Sequence, residues 1–410
     1  MSAGRVVLLL CLAEALSMTT FATFPALIPV LLPEWRLSNS EAGLISGMFF
    51  GGYMAAVPVL TGLTDRIDAR RVYAFSCALG AAGSLGFAFL AAGARSGILF
   101  HALIGAGLAG TYMPGLKLLS DLLENHPLRA RYVAFYTSTF GVGLTVSLAL
   151  VGLVEPALGW RAAFLVAACG PLAAGALVRL ALPPSRVSRA EARPHLLDFR
   201  PVFRSRAVTG YILGYAAHCW ELFGMRSWLV AFLAFAATLQ PPDAPLPIGA
   251  AWIAAAVTPL GILSSIVGNE VAMRYDRRRL ILAAMTLSAL AAWVVGFLAP
   301  LPWYAVVAAL AIYVVLVMAD SAALTNGVIA EANANLRGAT MAIYSFLGFG
   351  GGMLGPLVFG AVLDFAGGNT SVRAWGFAFG SLGTVSATAA AVAFLAPRLQ
   401  PRRHAVARTD

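Results

Sequence analysis

Charged residues are scarce in this chain: they make up 11% of its 410 residues, whereas 60% are hydrophobic. A soluble globular protein carries about 25% charged and about 45–50% apolar residues. Most of this chain therefore cannot face water. The composition excludes a water-soluble enzyme, a nucleic-acid-binding protein and a disordered scaffold, and it indicates an integral membrane protein.

Lysine and cysteine are nearly absent as well. Lys117 is the single lysine among 28 basic residues, so the net charge of +10 comes from arginine. Arginines collect in the cytoplasmic loops of membrane proteins and set their orientation, so this charge does not indicate nucleic acid. The four cysteines lie in apolar runs without paired spacing, which predicts packing residues and neither a disulfide nor a bound metal or cofactor. They are Cys11, Cys77, Cys169 and Cys219.

Long apolar runs dominate what remains. A transmembrane helix needs about 20 apolar residues, and these runs are continuous rather than alternating, so they predict helices and not barrel strands. The first run contains Glu14 and is too long for a cleaved signal peptide. We therefore predict an all-α membrane protein with twelve spans. They are 6–32, 42–61, 72–93, 97–120, 132–154, 160–182, 208–237, 248–269, 279–300, 302–328, 339–363 and 374–396.

One long polar stretch, residues 183–207, interrupts the apolar pattern and is rich in proline and arginine. It is predicted to be a cytoplasmic linker between two six-helix bundles, 1–182 and 208–396, with a cytoplasmic tail at 397–410. Most arginines fall on the side of the predicted spans that carries both termini. Both termini are therefore expected in the cytoplasm, in a multi-pass protein of the plasma membrane, or of the inner membrane in a bacterium.

The two halves of the sequence repeat each other. When the chain is shifted by 208 residues, the arginine-rich loop 65–71 aligns with 273–279. The same shift aligns 128–130 with 336–338, and Tyr136 with Tyr344. Duplicated six-helix units are typical of secondary transporters, whose substrate site lies near the membrane midplane between the repeats.

The loop after the second span resembles the signature G-x-x-x-D-R-x-G-R-R of the major facilitator superfamily. Here it reads Gly62-Leu63-Thr64-Asp65-Arg66-Ile67-Asp68-Ala69-Arg70-Arg71, with the first glycine shifted by one position and the second replaced. The resemblance implies a twelve-helix fold and a loop that latches the two halves at the cytoplasmic side. The latch candidates are Asp65, Arg66 and Arg70, with Arg274 in the second half. The alternative is that these charges only set the orientation.

Two further signatures of this family have counterparts in the sequence. In span 4, His101 stands where the family carries an arginine, ahead of Gly105, Gly107 and Gly110. His101 is a candidate titratable group of the site, or it hydrogen-bonds across helices. Span 5 has Gly141 and Gly143 without a proline, which weakens the similarity to proton-linked exporters. Span 11 carries the third signature as Gly351, Gly355, Pro356 and Gly360.

Six further ionisable residues inside predicted spans are functional candidates, because each charge there costs about 2.5–3.5 kcal/mol on insertion scales. The family resemblance implies that spans 1, 4, 7 and 10 line the transport cavity, and all six lie on these spans. They are candidates for the substrate or proton site: Glu14 in span 1, Lys117 in span 4, His218, Glu221 and Arg226 in span 7, and Asp320 in span 10.

Span 7 carries three of these ionisable residues, more than any other span. His218 shares a helix face with Glu221 near the bilayer centre, so the sequence predicts a hydrogen-bonded pair that can exchange protons. Arg226 lies about 140° around the helix from Glu221, pairs with it only if the helix distorts at Gly224, and needs an anion from the protein or a substrate. Structural alternatives stay open: a closed charge network in span 7, a Glu14 bonded to a neighbouring Ser or Thr, and a Lys117 that reaches to the interface.

These features predict a secondary active transporter of the major facilitator type, coupled to protons, which moves a small solute by alternating access around a midplane site. The substrate is expected to be a small organic anion. An uncoupled facilitator of the same fold stays open, as does a membrane-embedded receptor or enzyme, although the sequence has no metal-spaced histidine pair, nucleophile elbow or phosphate loop. The expected partners are the substrate, protons and the lipid bilayer, and the chain is expected to be a monomer.

Overall fold

A computed structural model describes residues 1–184, 200–333 and 336–395, and within these ranges the chain is helical without β-strands. The described part has 11 helical segments long and apolar enough to cross a membrane. A short helix, Arg200–Phe203, precedes the second half. Of the predicted linker and tail, residues 185–199 and 396–410 lie outside the described residues. The helices are α1 Ala3–Glu34, α2 Asn39–Leu63, α3 Ala69–Leu90, α4 Ala94–Leu122, α5 and α6 within Arg129–Ala181, α7 Arg206–Thr238, α8 Ala250–Arg274, α9 Arg277–Leu298, α10 Trp303–Glu331, α11 Arg337–Ala366 and α12 Val372–Phe394.

The longest segment crosses the membrane twice. Its 53 residues would extend about 80 Å, against a hydrocarbon core of about 30 Å. Gly159 interrupts it with a left-handed backbone (φ +79°), which glycine adopts without steric cost. Thr19 of α1 contacts the segment on both sides of Gly159. Its hydroxyl donates to Ala167 O (2.7 Å), and its carbonyl accepts from Ser147 Oγ (2.7 Å). The segment forms α5 (129–158) and α6 (160–181), so the predicted twelve helices are confirmed.

Helix α1 is broken in the middle, whereas the sequence predicts an unbroken span over 6–32. An α-helix runs from Ala3 to Ser17, a single 3-10 turn covers Met18–Thr20, and the α-helix resumes over Thr23–Glu34. Pro25 lacks an N–H donor, which favours a break just before it. Ser147 Oγ of α5 accepts from Ala22 N (3.0 Å) and donates to Thr19 O (2.7 Å), so one hydroxyl satisfies a donor and an acceptor at the break.

Helix α10 is interrupted as well, although its predicted span is continuous. It consists of Trp303–Met318 and Ser321–Glu331, and Asp320 is the residue just before the second piece. Ser264 Oγ of α8 donates to Val315 O near the interruption (2.5 Å). Backbone groups freed inside a membrane need such partners, because no water reaches them there.

The two halves, α1–α6 and α7–α12, meet where α2 packs against α11. A Cβ atom on Gly43 would lie 2.3 Å from Pro356 O, and one on Gly47 would lie 2.2 Å from Met353 O. Glycine is therefore required at these positions for the backbones to approach this closely. Gly355 of the predicted span 11 signature packs instead on α7, where its Cβ would meet Trp220 O at 2.4 Å.

The alternating helices place the loops at two ends of the bundle. One end carries the start of α1 and the loops at Arg66 and Arg274, and is called the arginine-rich side below. The other end carries the loops at 35–38 and 239–249, and is called the opposite side.

Candidate functional site

A small cavity, with room for about one water molecule in the described conformation, lies between the two halves, on the opposite-side half of the bundle. His101 lies seven residues from the start of α4, about 10 Å from the opposite-side end of that helix. Arg226 lies twelve residues from the end of α7, about 18 Å from its opposite-side end. The lining is apolar except for His101, Arg226 and three hydroxyl side chains. It comprises Phe21, Ala22, Pro25, Ser46, Phe49, Phe50, His101, Leu144 and Leu148 of the first half, and Phe223, Arg226, Ser227, Leu229 and Thr258 of the second.

Arg226 brings a positive charge to this cavity. Its guanidinium donates to Met318 Sδ (3.6 Å) and lies 5.9 Å from the centre of the Phe223 ring. Helix α7 is continuous from Arg206 to Thr238, so the distortion that would join Arg226 to Glu221 does not occur. Among the residues that the structure describes, no carboxylate lies within ion-pair distance of Arg226.

His101 lines the same cavity from the first half. Its Nδ1 lies 2.6 Å from Ile45 O, and because a carbonyl oxygen can only accept, Nδ1 carries the hydrogen. The ring is 1% exposed, and its Nε2 has no hydrogen-bond partner in the described part of the chain. Phe24 and Phe49 flank the ring, with centroids 5.4 and 5.5 Å away. The sequence identified His101 as a site candidate, and the structure places it in one cavity with Arg226.

Glu221 faces away from that cavity, into the second half. Its Oε2 accepts hydrogen bonds from Ser288 Oγ of α9 (3.0 Å) and from Ser386 Oγ of α12. The predicted hydrogen bond between His218 and Glu221 is wrong, because the two side chains contact different neighbouring helices. A spacing of three residues places them on adjoining faces of α7 but leaves the choice of partner to the packing of α9, α10 and α12.

His218 pairs instead with Asp320 at the interruption of α10. Nδ1 of His218 lies 2.8 Å from Oδ1 of Asp320, and both side chains are buried. Tyr215 stacks on His218 (6.0 Å between centroids) and on Tyr344 (3.9 Å), and the Tyr344 hydroxyl lies 2.9 Å from Thr325 Oγ1. His218 and Asp320 are therefore neighbouring polar side chains buried inside the second half.

Glu14 forms a comparable buried site in the first half. Tyr136 OH of α5 donates to Glu14 Oε2 (3.0 Å), and Oε1 has no hydrogen-bond partner in the described residues. Ser17 donates to the backbone carbonyl of Glu14 rather than to its carboxylate, so the partner is a tyrosine and not the predicted Ser or Thr. The shift of 208 residues aligns Tyr136 with Tyr344. This alignment is the sequence feature that could have indicated a buried polar site at both tyrosines.

The remaining candidates lie at the arginine-rich side. Lys117 forms an ion pair with Asp121 one turn away (2.9 Å). Arg70 pairs with Asp68 (2.7 Å) and donates to Leu182 O (2.6 Å), both in its own half. Asp65, Arg66 and Arg274 are exposed, and within the described ranges none of their side chains forms a hydrogen bond or ion pair with the other half.

Four hydrogen bonds that join the described parts of the two halves lie at the opposite side and were missed from the sequence. Asp364, near the end of α11, accepts from Asn39 N (3.0 Å), Asn39 Nδ2 (2.8 Å), Ser40 N (2.8 Å) and Ser40 Oγ (2.6 Å) at the start of α2. An acidic residue at the end of an otherwise acid-free span is the signal that marks Asp364. These hydrogen bonds hold the two halves together at the opposite side.

Known proteins share parts of this sequence. The family model for the Major Facilitator Superfamily matches residues 10–273, well over half of the chain. The niacin transporter NiaP of Acinetobacter baylyi is 27% identical over 140 residues, which cover 34% of this chain and 31% of that protein. The voltage-gated purine nucleotide uniporter SLC17A9 of Rattus norvegicus is 26% identical over 260 residues, which cover 55% of this chain and 53% of the uniporter. The chain thus spans about a third to a half of the length of these curated relatives.

Solved structures share the fold over nearly the whole chain. An inward-facing, unoccupied bacterial homologue of the human lysosomal transporter Spinster superposes with a TM-score of 0.76 at 17% identity, covering 97% of both chains. The nucleoside transporter NupG, as its D323A mutant, superposes with a TM-score of 0.78 at 17% identity, covering 95% of this chain and 99% of that one. At this identity the likeness concerns the fold alone.

Proposed function

Because the chain belongs to the major facilitator superfamily, we propose that it is a secondary active transporter of a small organic anion, coupled to protons. The observation that carries the proposal is Arg226, a guanidinium in the cavity between the halves without a carboxylate partner among the described residues. A charge inside a membrane protein is stable only when it is paired or solvated, and a substrate anion that enters the cavity supplies the missing partner of the half-buried Arg226.

The relatives support an anionic substrate. Niacin and purine nucleotides, named as the solutes of the two curated relatives, are both anions at neutral pH. Arg226 accounts for such a preference in this chain, because a guanidinium binds carboxylate and phosphate oxygens through parallel N–H donors. Lys117, the other cationic candidate, is paired with Asp121 (2.9 Å) and is assigned a structural role.

Proton coupling is assigned to the two buried acidic sites, Glu14 with Tyr136 and Asp320 with His218. Each half contributes one site: Tyr136 OH donates to Glu14 Oε2 (3.0 Å), and His218 Nδ1 lies 2.8 Å from Asp320 Oδ1. Acidic residues inside membrane proteins commonly form proton relays. Glu221, held by two serines within the second half, is assigned a structural role.

In this proposal the two halves close the bundle at one end at a time, first at the opposite side and then at the arginine-rich side. In the described conformation the clamp of Asp364 on Asn39 closes the opposite side. When the halves rock, this clamp opens and the loop residues Asp65, Arg66, Arg70 and Arg274 close the arginine-rich side. An uncoupled facilitator with the same substrate site is the alternative, in which the two acidic sites only hold helices together.

Uptake into proteoliposomes tests the anion site. Labelled nicotinate or another small carboxylate is measured with the unsubstituted protein, with Arg226→Gln and with Arg95→Gln, a matched substitution at an exposed arginine. Arg226→Gln is expected to lower uptake at least tenfold while Arg95→Gln leaves it unchanged. Carboxylate uptake that survives Arg226→Gln overturns the anion site.

Proton gradients of either sign, imposed on the same vesicles, test the coupling. A gradient is expected to drive accumulation in the unsubstituted protein, and Glu14→Gln together with Asp320→Asn is expected to leave only equilibration. Uptake that ignores the gradient in the unsubstituted protein favours the facilitator.

A further inference from the structure

We propose that the cavity between the halves, which has room for about one water molecule in the described conformation, widens when the halves rock and then selects aromatic monocarboxylates that carry a hydrogen-bond donor on the ring, as hydroxybenzoates do. This inference rests on the proposed function, since it uses Arg226 as the anion site. It adds the class of the substrate and a specificity residue, His101.

Phenylalanine rings from both halves form the apolar part of the cavity. Phe21 meets Phe49 edge to face with 4.8 Å between centroids, and Phe50 lies 4.3 Å from Phe223 of the second half. Phe21 also lies 6.5 Å from Phe223. Aromatic rings gain from edge-to-face and offset stacking with a further ring, so this lining favours a planar aromatic solute over an aliphatic one of equal size.

The charge of the cavity limits the charge of the solute. Of its lining residues, Arg226 is the permanent cation, and the hydroxyl side chains are uncharged: Ser46, Ser227 and Thr258. One guanidinium neutralises one carboxylate through two parallel hydrogen bonds. A nucleotide phosphate carries about two charges and a bulky ribose, so the cavity favours a monocarboxylate over a nucleotide.

His101 supplies the second polar contact. Because Nδ1–H is committed to Ile45 O (2.6 Å), the neutral ring presents the Nε2 lone pair, which has no partner in the described residues. A buried acceptor without a donor is unfavourable, and a ring hydroxyl or amino group of the solute would satisfy it. Since Arg226 belongs to the second half and His101 to the first, such a solute contacts both halves at once.

Ligand-dependent melting of the purified protein in detergent tests this assignment, since a ligand that binds the folded state raises Tm by mass action. The probes are 4-hydroxybenzoate, benzoate, cyclohexanecarboxylate, 4-hydroxybenzamide and AMP, each titrated to give a Kd. We expect 4-hydroxybenzoate to bind at least tenfold more tightly than benzoate, benzoate more tightly than cyclohexanecarboxylate, and the amide and AMP not to bind.

Two substitutions at His101 separate specificity from folding. His101→Phe is expected to make the Kd values of 4-hydroxybenzoate and benzoate equal, whereas His101→Gln, which retains a donor and an acceptor, is expected to keep most of the preference. His126→Phe, in the loop after α4, is the matched control and is expected to leave both Kd values unchanged. The Tm without ligand shows that each variant is folded.

The outcomes separate this inference from the proposed function. If cyclohexanecarboxylate binds as tightly as 4-hydroxybenzoate and Arg226→Gln abolishes both, the aromatic assignment is wrong and the anion site stands. If 4-hydroxybenzoate keeps its preference in His101→Phe, the role of His101 is wrong. If anions bind equally well to Arg226→Gln, both the inference and the anion site are overturned.

Discussion

Asp364 accepts hydrogen bonds from both the backbone N–H (3.0 Å) and the side-chain amide (2.8 Å) of Asn39. Asn39 begins α2 in the first half and Asp364 lies near the end of α11 in the second, so this contact ties the halves together at the opposite side. The carboxylate also lies at the N-terminus of α2, where the helix dipole favours a negative charge.

Removing this charge is expected to open the opposite side. Asp364→Asn loses charge-assisted hydrogen bonds worth about 1.5–3 kcal/mol each, and about 1.4 kcal/mol changes a population ratio tenfold. Ser46, which is buried in the cavity, is replaced by cysteine as a reporter. If both termini are cytoplasmic, as the sequence predicts, the opposite side faces outward. We then expect labelling by a membrane-impermeant thiol reagent, added outside intact cells, to become at least severalfold faster in Asp364→Asn.

The exposed loop residue Asp243 provides the matched control, since Asp243→Asn removes a charge from the same side without touching α2. Equal labelling rates in Asp364→Asn and Asp243→Asn would show that the contact does not hold the halves closed.

Gly47→Val is expected to prevent the closed state at the opposite side altogether. A Cβ at residue 47 would lie 2.2 Å from Met353 O, a backbone atom that cannot move aside locally. Transport should fall to background while the Ser46→Cys reporter labels rapidly from outside. Gly51→Ala on the same helix meets only the flexible side chains of Met48 and Met353 at 3.3–3.5 Å, and we expect it to keep most of its activity. If Gly47→Val transports as fast as the unsubstituted protein, the close packing of Gly47 against Met353 is not required for transport.

The buried pair of His218 and Asp320 is expected to contribute far more to stability than an accessible one. Removing either partner leaves the other polar group buried and unsatisfied, which costs about 1–3 kcal/mol, and more if that group is charged. A double-mutant cycle of His218→Ala and Asp320→Ala, read as Tm in detergent, should show strong coupling. The same cycle on Lys117 and Asp121, one turn apart near the surface, should give about 0.5 kcal/mol or less. Comparable coupling in the two cycles would refute the burial argument.

Ser147→Ala is expected to destabilise the break in α1. The hydroxyl serves both Ala22 N (3.0 Å) and Thr19 O (2.7 Å), and leaving a buried polar group unsatisfied costs about 1–3 kcal/mol. Ser381→Ala removes a hydroxyl that donates to Ala378 O of its own helix and should lower Tm much less. The two variants are compared by Tm in detergent, and an equal loss in both would show that the break does not depend on α5.

The sequence by itself determined the membrane character, the twelve helices, the internal repeat and the family. These properties depend on local composition and on spacing along the chain: apolar runs of sufficient length, the arginine-rich loops and the offset of 208 residues that joins Tyr136 to Tyr344. The sequence also identified Arg226 and His101 as polar residues inside spans, because a charged or titratable side chain stands out against an apolar background.

The tertiary structure alone decided which of these side chains meet. It paired His218 with Asp320 rather than with Glu221, interrupted α1 and α10, and joined Asp364 to Asn39 across 325 residues. The physical reason is that helices apolar on every side carry little signal of which face turns inward. The rotation and depth of each helix are set by glycine contacts and buried hydrogen bonds with helices distant in the sequence.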